Sequence, residues 1–160
     1  MAAILAALLV IMVAGALLWK RNASKNANRT ESIVQSKQRA LATGSNDNAT
    51  DKDKLGKIYD VVSTISGYYI TRHKSFPEAT AYGWQEILNT VPTDSSFIDP
   101  YTSSSYKFTD ASPNNGELQY RTHTKCDAEY HDFAESDDDN TIALRASFSD
   151  GVRCVSNENE

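Results

Sequence analysis

The sequence is poor in the residues on which enzyme and metal sites most often depend. It has two Cys, three His and two Met in 160 residues. That is too few for a thiolate cluster, a multi-histidine centre or a disulfide-dense scaffold. Seven Gly and four Pro exclude glycine-rich and proline-rich repeats. No GxSxG, HExxH, CxxC or phosphate-cradling loop pattern occurs. His73, His123 and His131 do not repeat at ligand spacing. His123 and His131 flank Cys126, and exposed loop residues are the plain reading of both. The expectation is a protein that is not an enzyme, with no catalytic residues, no resident metal and no cofactor.

Long apolar runs are also scarce, with one exception. Met1–Trp19 carries no charged residue, and the rest of the chain is polar enough to hold the mean hydropathy at -0.49. That split excludes a multi-pass membrane protein. At about 150 residues per domain the chain holds one folded unit, and a large enzyme is excluded. Nineteen helical residues span roughly 28 Å, just enough for a ~30 Å hydrocarbon core. No basic residue precedes the run, and it continues past Ala14-Gly15-Ala16 to Trp19, so a retained helix is favoured over a cleaved signal. Trp19-Lys20-Arg21 reads as an interfacial anchor, with the carboxyl side cytoplasmic by the positive-inside rule.

Charge divides the chain as hydropathy does. Residues 1–50 carry six Lys/Arg against Glu31 and Asp47, a net of +4; residues 51–160 carry ten against nineteen acids, a net of -9. An acidic body argues against nucleic acid as its main partner. The basic stretch suits anionic lipid or an acidic neighbour. Residues 20–50 read as a polar helical continuation and linker, with Ile33, Val34, Ala40 and Leu41 as a thin apolar stripe and a break at Gly44. Asn22, Asn28 and Asn48 stand in glycosylation sequons; glycans and chance in Asn-rich sequence both account for them.

The globular unit is expected over 51–160. Leu55, Ile58, Val61, Val62, Ile65, Tyr68 and Tyr69 recur at helical spacing, which predicts a helix with Thr50 or Asp51 as cap. Its solvent face is expected to carry Asp53, Lys54, Lys57 and Asp60. Ser75-Phe76-Pro77 turns the chain, and Trp84, Ile87, Leu88 and Val91 predict a short second helix closed by Pro92. The head core is then Leu55, Ile58, Val61, Val62, Ile65, Tyr69 and Trp84. Strands are expected at 105–109, 118–122, 141–148 and 151–155, the last two joined at Ser149-Asp150-Gly151. Helices first and strands after give an α+β class with one small antiparallel sheet.

Cys126 and Cys154 fall at strand edges of a small domain. A bond between them would close a loop of nearly thirty residues and contribute about 3–4 kcal/mol; two unrelated thiols are the alternative. A disulfide implies an oxidising compartment, which conflicts with the orientation that Lys20-Arg21 suggests. Asp127, Glu129, Asp132, Glu135, Asp137, Asp138 and Asp139 form an acidic stretch. Asp137, Asp138 and Asp139 are weak Ca²⁺ candidates, since the spacing and glycine of a calcium loop are missing and a solvated loop explains them as well.

The run Asp51-x-x-Lys54-Leu55-x-x-Ile58-x-x-Val61-Val62-x-x-Ile65-x-x-Tyr68-Tyr69, then Phe76-Pro77, resembles the helix start, apolar stripe, tyrosine pair and turn of type IV pilins and type II secretion pseudopilins. Trp84 to Pro92, Asp99-Pro100 to Phe108, and Ile142 to Phe148 with Cys154 continue in the family's order. The resemblance covers about residues 51–155 plus the apolar helix. It implies a pilin-like fold: a long N-terminal stalk helix bearing a small head. Met1, Leu5, Leu8, Leu9, Ile11 and Leu18 would pack in a filament core. The +4 segment would meet the acidic heads of neighbouring subunits.

The implied function is a structural subunit of a type IV pilus-like filament serving attachment, twitching motility or DNA uptake. It would sit in the membrane before assembly and on the cell surface afterwards, with copies of itself and an assembly machine as partners. A secretion pseudopilin and a monomeric membrane-tethered binding module are the alternatives. Leu5 stands where the family has Glu, and Asn22 where it has a kink-forming proline. A basic leader removed ahead of position 1 would reconcile Lys20-Arg21 with an external head.

Overall fold

The computed structural model describes residues 49–72 and 74–158. The expected anchor at 1–19, nearly all of the linker at 20–50, the six filament-core positions Met1, Leu5, Leu8, Leu9, Ile11 and Leu18, the sequon asparagines Asn22, Asn28 and Asn48, and His73 therefore lie outside the described residues.

Helix α1 runs Ala49–Thr71 and α2 runs Ala81–Thr90. The apolar stripe of α1 is its buried face: Ile58, Val61, Val62 and Ile65 are fully enclosed, with Leu55 and Tyr69 nearly so. Each such side chain contributes about 1.5–3 kcal/mol when taken from water. At the far end Thr71 bonds back to the carbonyls of Gly67 at 2.5 Å and Tyr68 at 3.3 Å. The chain then turns through Pro77, whose carbonyl accepts from the Tyr120 hydroxyl at 3.2 Å.

Thr80 caps α2 by accepting from the Gly83 amide at 3.1 Å. Gly83 is required by proximity, since a Cβ there would lie 1.9 Å from the Glu78 carbonyl oxygen. Pro92 follows the helix and cannot continue it. Trp84 drives its ring into the core and donates Nε1–H to the Tyr106 carbonyl at 3.1 Å.

A 3₁₀ turn at Ser95–Phe97 leads into eight short strands: β1 Ile98–Asp99, β2 Ser104–Ser105, β3 Lys107–Phe108, β4 Glu117–Thr122, β5 Thr124–Cys126, β6 Phe133–Glu135, β7 Ile142–Phe148 and β8 Gly151–Ser156. The main sheet has the order β3-β4-β7-β8; β1 with β2 and β5 with β6 form separate two-stranded ribbons. Alternation along β7 explains the layering. Ile142, Leu144, Ala146 and Phe148 face α1 and α2, with Leu118 and Tyr120 of β4 and Val155 of β8. Ala143 faces the other way, onto Cys126, Cys154 and Phe133. The sheet is thus covered by helices on one side and by the β5–β6 lobe on the other.

Two expectations need correction. The stalk-and-single-sheet architecture is not what is seen. Among the described residues no helix is long and apolar enough to cross a membrane, and α1 carries Asp51, Lys52, Asp53, Lys54, Lys57 and Asp60 in its first half. The expected single antiparallel sheet is three sheets, and β3 runs parallel to β4.

Both sheet differences have local causes. The β1–β2 ribbon reverses the chain early, so β3 enters alongside β4 in the same direction, with the Lys107 amide on the Gly116 carbonyl at 2.9 Å. His123 takes a left-handed φ of 53° between β4 and β5, which ends the first ladder and starts another. The class remains mixed α+β.

Candidate functional site

The most unusual chemistry of the described chain lies at the start of α1. Lys54 is fully buried, and its Nζ contacts Asp99 Oδ2 at 3.2 Å, with neither side chain exposed. Asp99 sits at the end of β1. Its Oδ2 also accepts the Gly116 amide, and its Oδ1 accepts the Tyr101 amide at 2.9 Å. Gly116 reaches this place with φ at +83°, a conformation that a side chain disfavours.

One turn before Lys54, Asp51 is equally buried. Its Oδ1 accepts the Tyr101 hydroxyl at 2.6 Å and the Ser149 amide at 3.2 Å, and the Ser149 hydroxyl donates to Oδ2. The rings of Tyr101, Phe148 and Tyr106 surround the ammonium at 5.2, 5.7 and 5.8 Å. Three remote pieces of chain, 98–101, 116 and 148–149, are thereby fastened to the first two turns of α1.

Electrostatics follow from this enclosure. Burial pushes the Lys54 amine below its ordinary value, and Asp99 and Asp51 pull it partly back. Burial alone would raise Asp51; the hydroxyls of Ser149 and Tyr101, the Ser149 amide and the charge of Arg153 together hold it low instead. Tyr106 is raised, first by burial and then by the neighbouring charge of Asp99, and its enclosed hydroxyl finds no hydrogen-bond partner among the described residues.

None of these groups stood out in the sequence. Lys54 reads there as one charge on a solvent-facing helix side, beside Asp53 and Asp60, which are indeed exposed. Asp99 appears there only within the stretch from Asp99-Pro100 to Phe108, with no role of its own. No sequence signal links positions 45 residues apart, although Lys54 and Asp99 are in contact.

The second site is the β5–β6 lobe. Cys126 and Cys154 are joined by a disulfide, with Cα atoms 5.6 Å apart. Arg145 on β7 reinforces it, pairing with Asp132 at 3.2 Å, donating to Gln119 Oε1 at 3.0 Å and covering the Phe133 ring at 5.4 Å. The loop between the strands closes over the outer edge of β8. The Cys154 amide donates to the Tyr130 carbonyl at 2.7 Å, and His131 Nδ1 lies 3.0 Å from the Val152 carbonyl.

The Ca²⁺ candidates are not gathered. Asp138 accepts the Asn140 amide within its own turn, Asp139 pairs with His123 at 3.3 Å, and Asp137 is exposed. Among the described residues no three His, Cys, Asp or Glu side chains converge as metal ligands. Head-core positions Leu55, Ile58, Val61, Val62, Ile65, Tyr69 and Trp84 all fall within one buried cluster. Comparison with protein-family models, with curated proteins and with solved structures finds no match.

Proposed function

We propose that the chain is a structural subunit of an extracytoplasmic filament of the type IV pilus kind, anchored in the membrane by residues 1–19 before it assembles. The observation that carries this reading is the Cys126–Cys154 disulfide, which suits an oxidising compartment. The apolar run Met1–Trp19 supports it from the other end of the chain. The clasp on α1 supports it as well. The chain enters the head through that helix, so tension along a filament would arrive where Lys54, Asp99 and Asp51 tie the helix to the sheet.

In this reading the protein acts by assembly, its partners are copies of itself and an assembly machine, and its place is the cell surface. The test is to shear the surface of cells producing the protein, image the sheared fraction and identify its 17.7 kDa component. Filaments built of this chain are the expected result. Protein that stays in the membrane fraction and never polymerises overturns the reading and leaves a tethered monomeric module in its place.

A further inference from the structure

We propose that Lys54 and Asp99 condense into an intramolecular amide bond, so that the mature protein carries a covalent cross-link between α1 and β1. The amine nitrogen touches the carboxyl group at 3.2 Å, with both side chains sealed from solvent. Held in this way, a reacting pair gains an effective molarity on the order of 10⁵–10⁸ M, which offsets the dilution that disfavours amide formation in water. Loss of water around the amine disfavours its charged form and brings the neutral, nucleophilic form closer in energy. The depressed basicity of Lys54 points the same way.

The carboxyl group is also prepared for attack. Backbone N–H groups of Gly116 and Tyr101 sit on its two oxygens, where they stabilise the negative charge of a tetrahedral intermediate. The reaction balances without any other reagent. A proton passes from the ammonium to the carboxylate, and the free Lys54 Nζ attacks Asp99 Cγ. The N–C bond forms, the second nitrogen proton goes to the departing hydroxyl, the C–O bond breaks, and water leaves. In this proposal Asp51, whose negative charge acts on Lys54, relays that proton. No net charge is lost, because a cation and an anion disappear together. The link stands or falls independently of filament assembly, since it needs only the folded head.

The test is the intact mass of the purified, oxidised full chain, followed by a peptide map. The disulfide removes two hydrogens; condensation removes one water more, about 18 mass units, as any amide-forming acyl transfer does. The expected result is that extra deficit, with the peptides containing Lys54 and Asp99 recovered as one cross-linked species. A dehydrated Asp150-Gly151 step would lose the same mass, so the map and a Lys54→Arg variant separate the two. Lys54→Arg should lose the deficit, and Asp51→Asn should delay it. A mass showing the disulfide alone, or a water loss that persists in Lys54→Arg, overturns the proposal; should that variant fail to fold, the wild-type map decides by itself.

Discussion

The start of α1 and the β5–β6 lobe both lie at the margin of the apolar core, yet they are fastened differently. The first turns of α1 are held by a buried polar cluster: Lys54 meets Asp99 with both enclosed, and Asp51, equally buried, accepts from Tyr101 and Ser149. The lobe is held by a covalent staple with Arg145 laid against it, and its residues other than Cys126 are exposed or half-buried. Lys54 and its partners were desolvated at a cost that their mutual attraction and hydrogen bonds offset, so each member depends on the others. The lobe buries little apolar surface beyond Cys126 and Phe133, so constraint of the unfolded chain stands in for burial. A charged cluster fails all at once when one member is lost, whereas a stapled lobe can loosen by itself.

The largest effect is expected at the cluster. Lys54→Ala removes the partner of Asp99, and with it the proposed cross-link, leaves the Asp99 carboxylate buried alone, and should cost about 3–5 kcal/mol in urea unfolding. A loss below about 1 kcal/mol would mean that water replaces the amine, as it does at exposed pairs, and would erase the contrast.

Next comes the staple. Replacing Cys126 and Cys154 together by Ser should cost about 2–4 kcal/mol. Amide exchange should show the loss concentrated at 124–135 while α1 and β7 stay protected. Uniform loss across the head would show the lobe to be part of the core after all.

A smaller effect separates the two regions by pH. Asp51 has a folded pKa held below its ordinary value of 3.8, so the folded state binds fewer protons between the two values. The stability it supplies is complete above that range and disappears as pH falls through the folded value. Acid titration of unfolding midpoints should show this loss in the wild type and a shallower one in Asp51→Asn, provided the asparagine protein still folds. Equal slopes would assign the acid response elsewhere. The smallest effect belongs to Arg145→Met, below about 1 kcal/mol, because the Asp132 partner is largely exposed. A larger loss by thermal unfolding would make the arginine, with the disulfide, a true fastener of the lobe.

Much of the scaffold was legible in the residues. The stripe from Leu55 to Tyr69 and the Trp84–Val91 group name their helices because 3.6-residue periodicity survives into the packed state. Alternation did the same for β4, β7 and β8. The ribbons were not legible. β5 and β6 are three residues each, too short for a period to register; β6 falls within the stretch read as acidic loop, and β5 just before it.

Parallel pairing of β3 was invisible because it depends on a reversal through β1 and β2, two residues each. The cluster was missed for another reason. Lys54 lies one position from Leu55, at the flank of the apolar stripe, and whether such a side chain turns outward or inward is decided by a distant partner. Asp99 supplies that partner and gives no sign of it locally.

The loop over β8 has one more consequence. An outer strand with free amide and carbonyl groups is a template on which another polypeptide can lay its own strand. Here Tyr130 and His131 occupy those groups at Cys154 and Val152, and the cysteine that carries one of them is the anchor of the bond holding the loop in place. The disulfide therefore acts as a stopper against sheet growth as well as a brace. Reduction should turn a discrete protein into one that gathers with its own kind through β8, visible as time-dependent light scattering, while a clear solution after full reduction would show that the loop keeps its seat unaided.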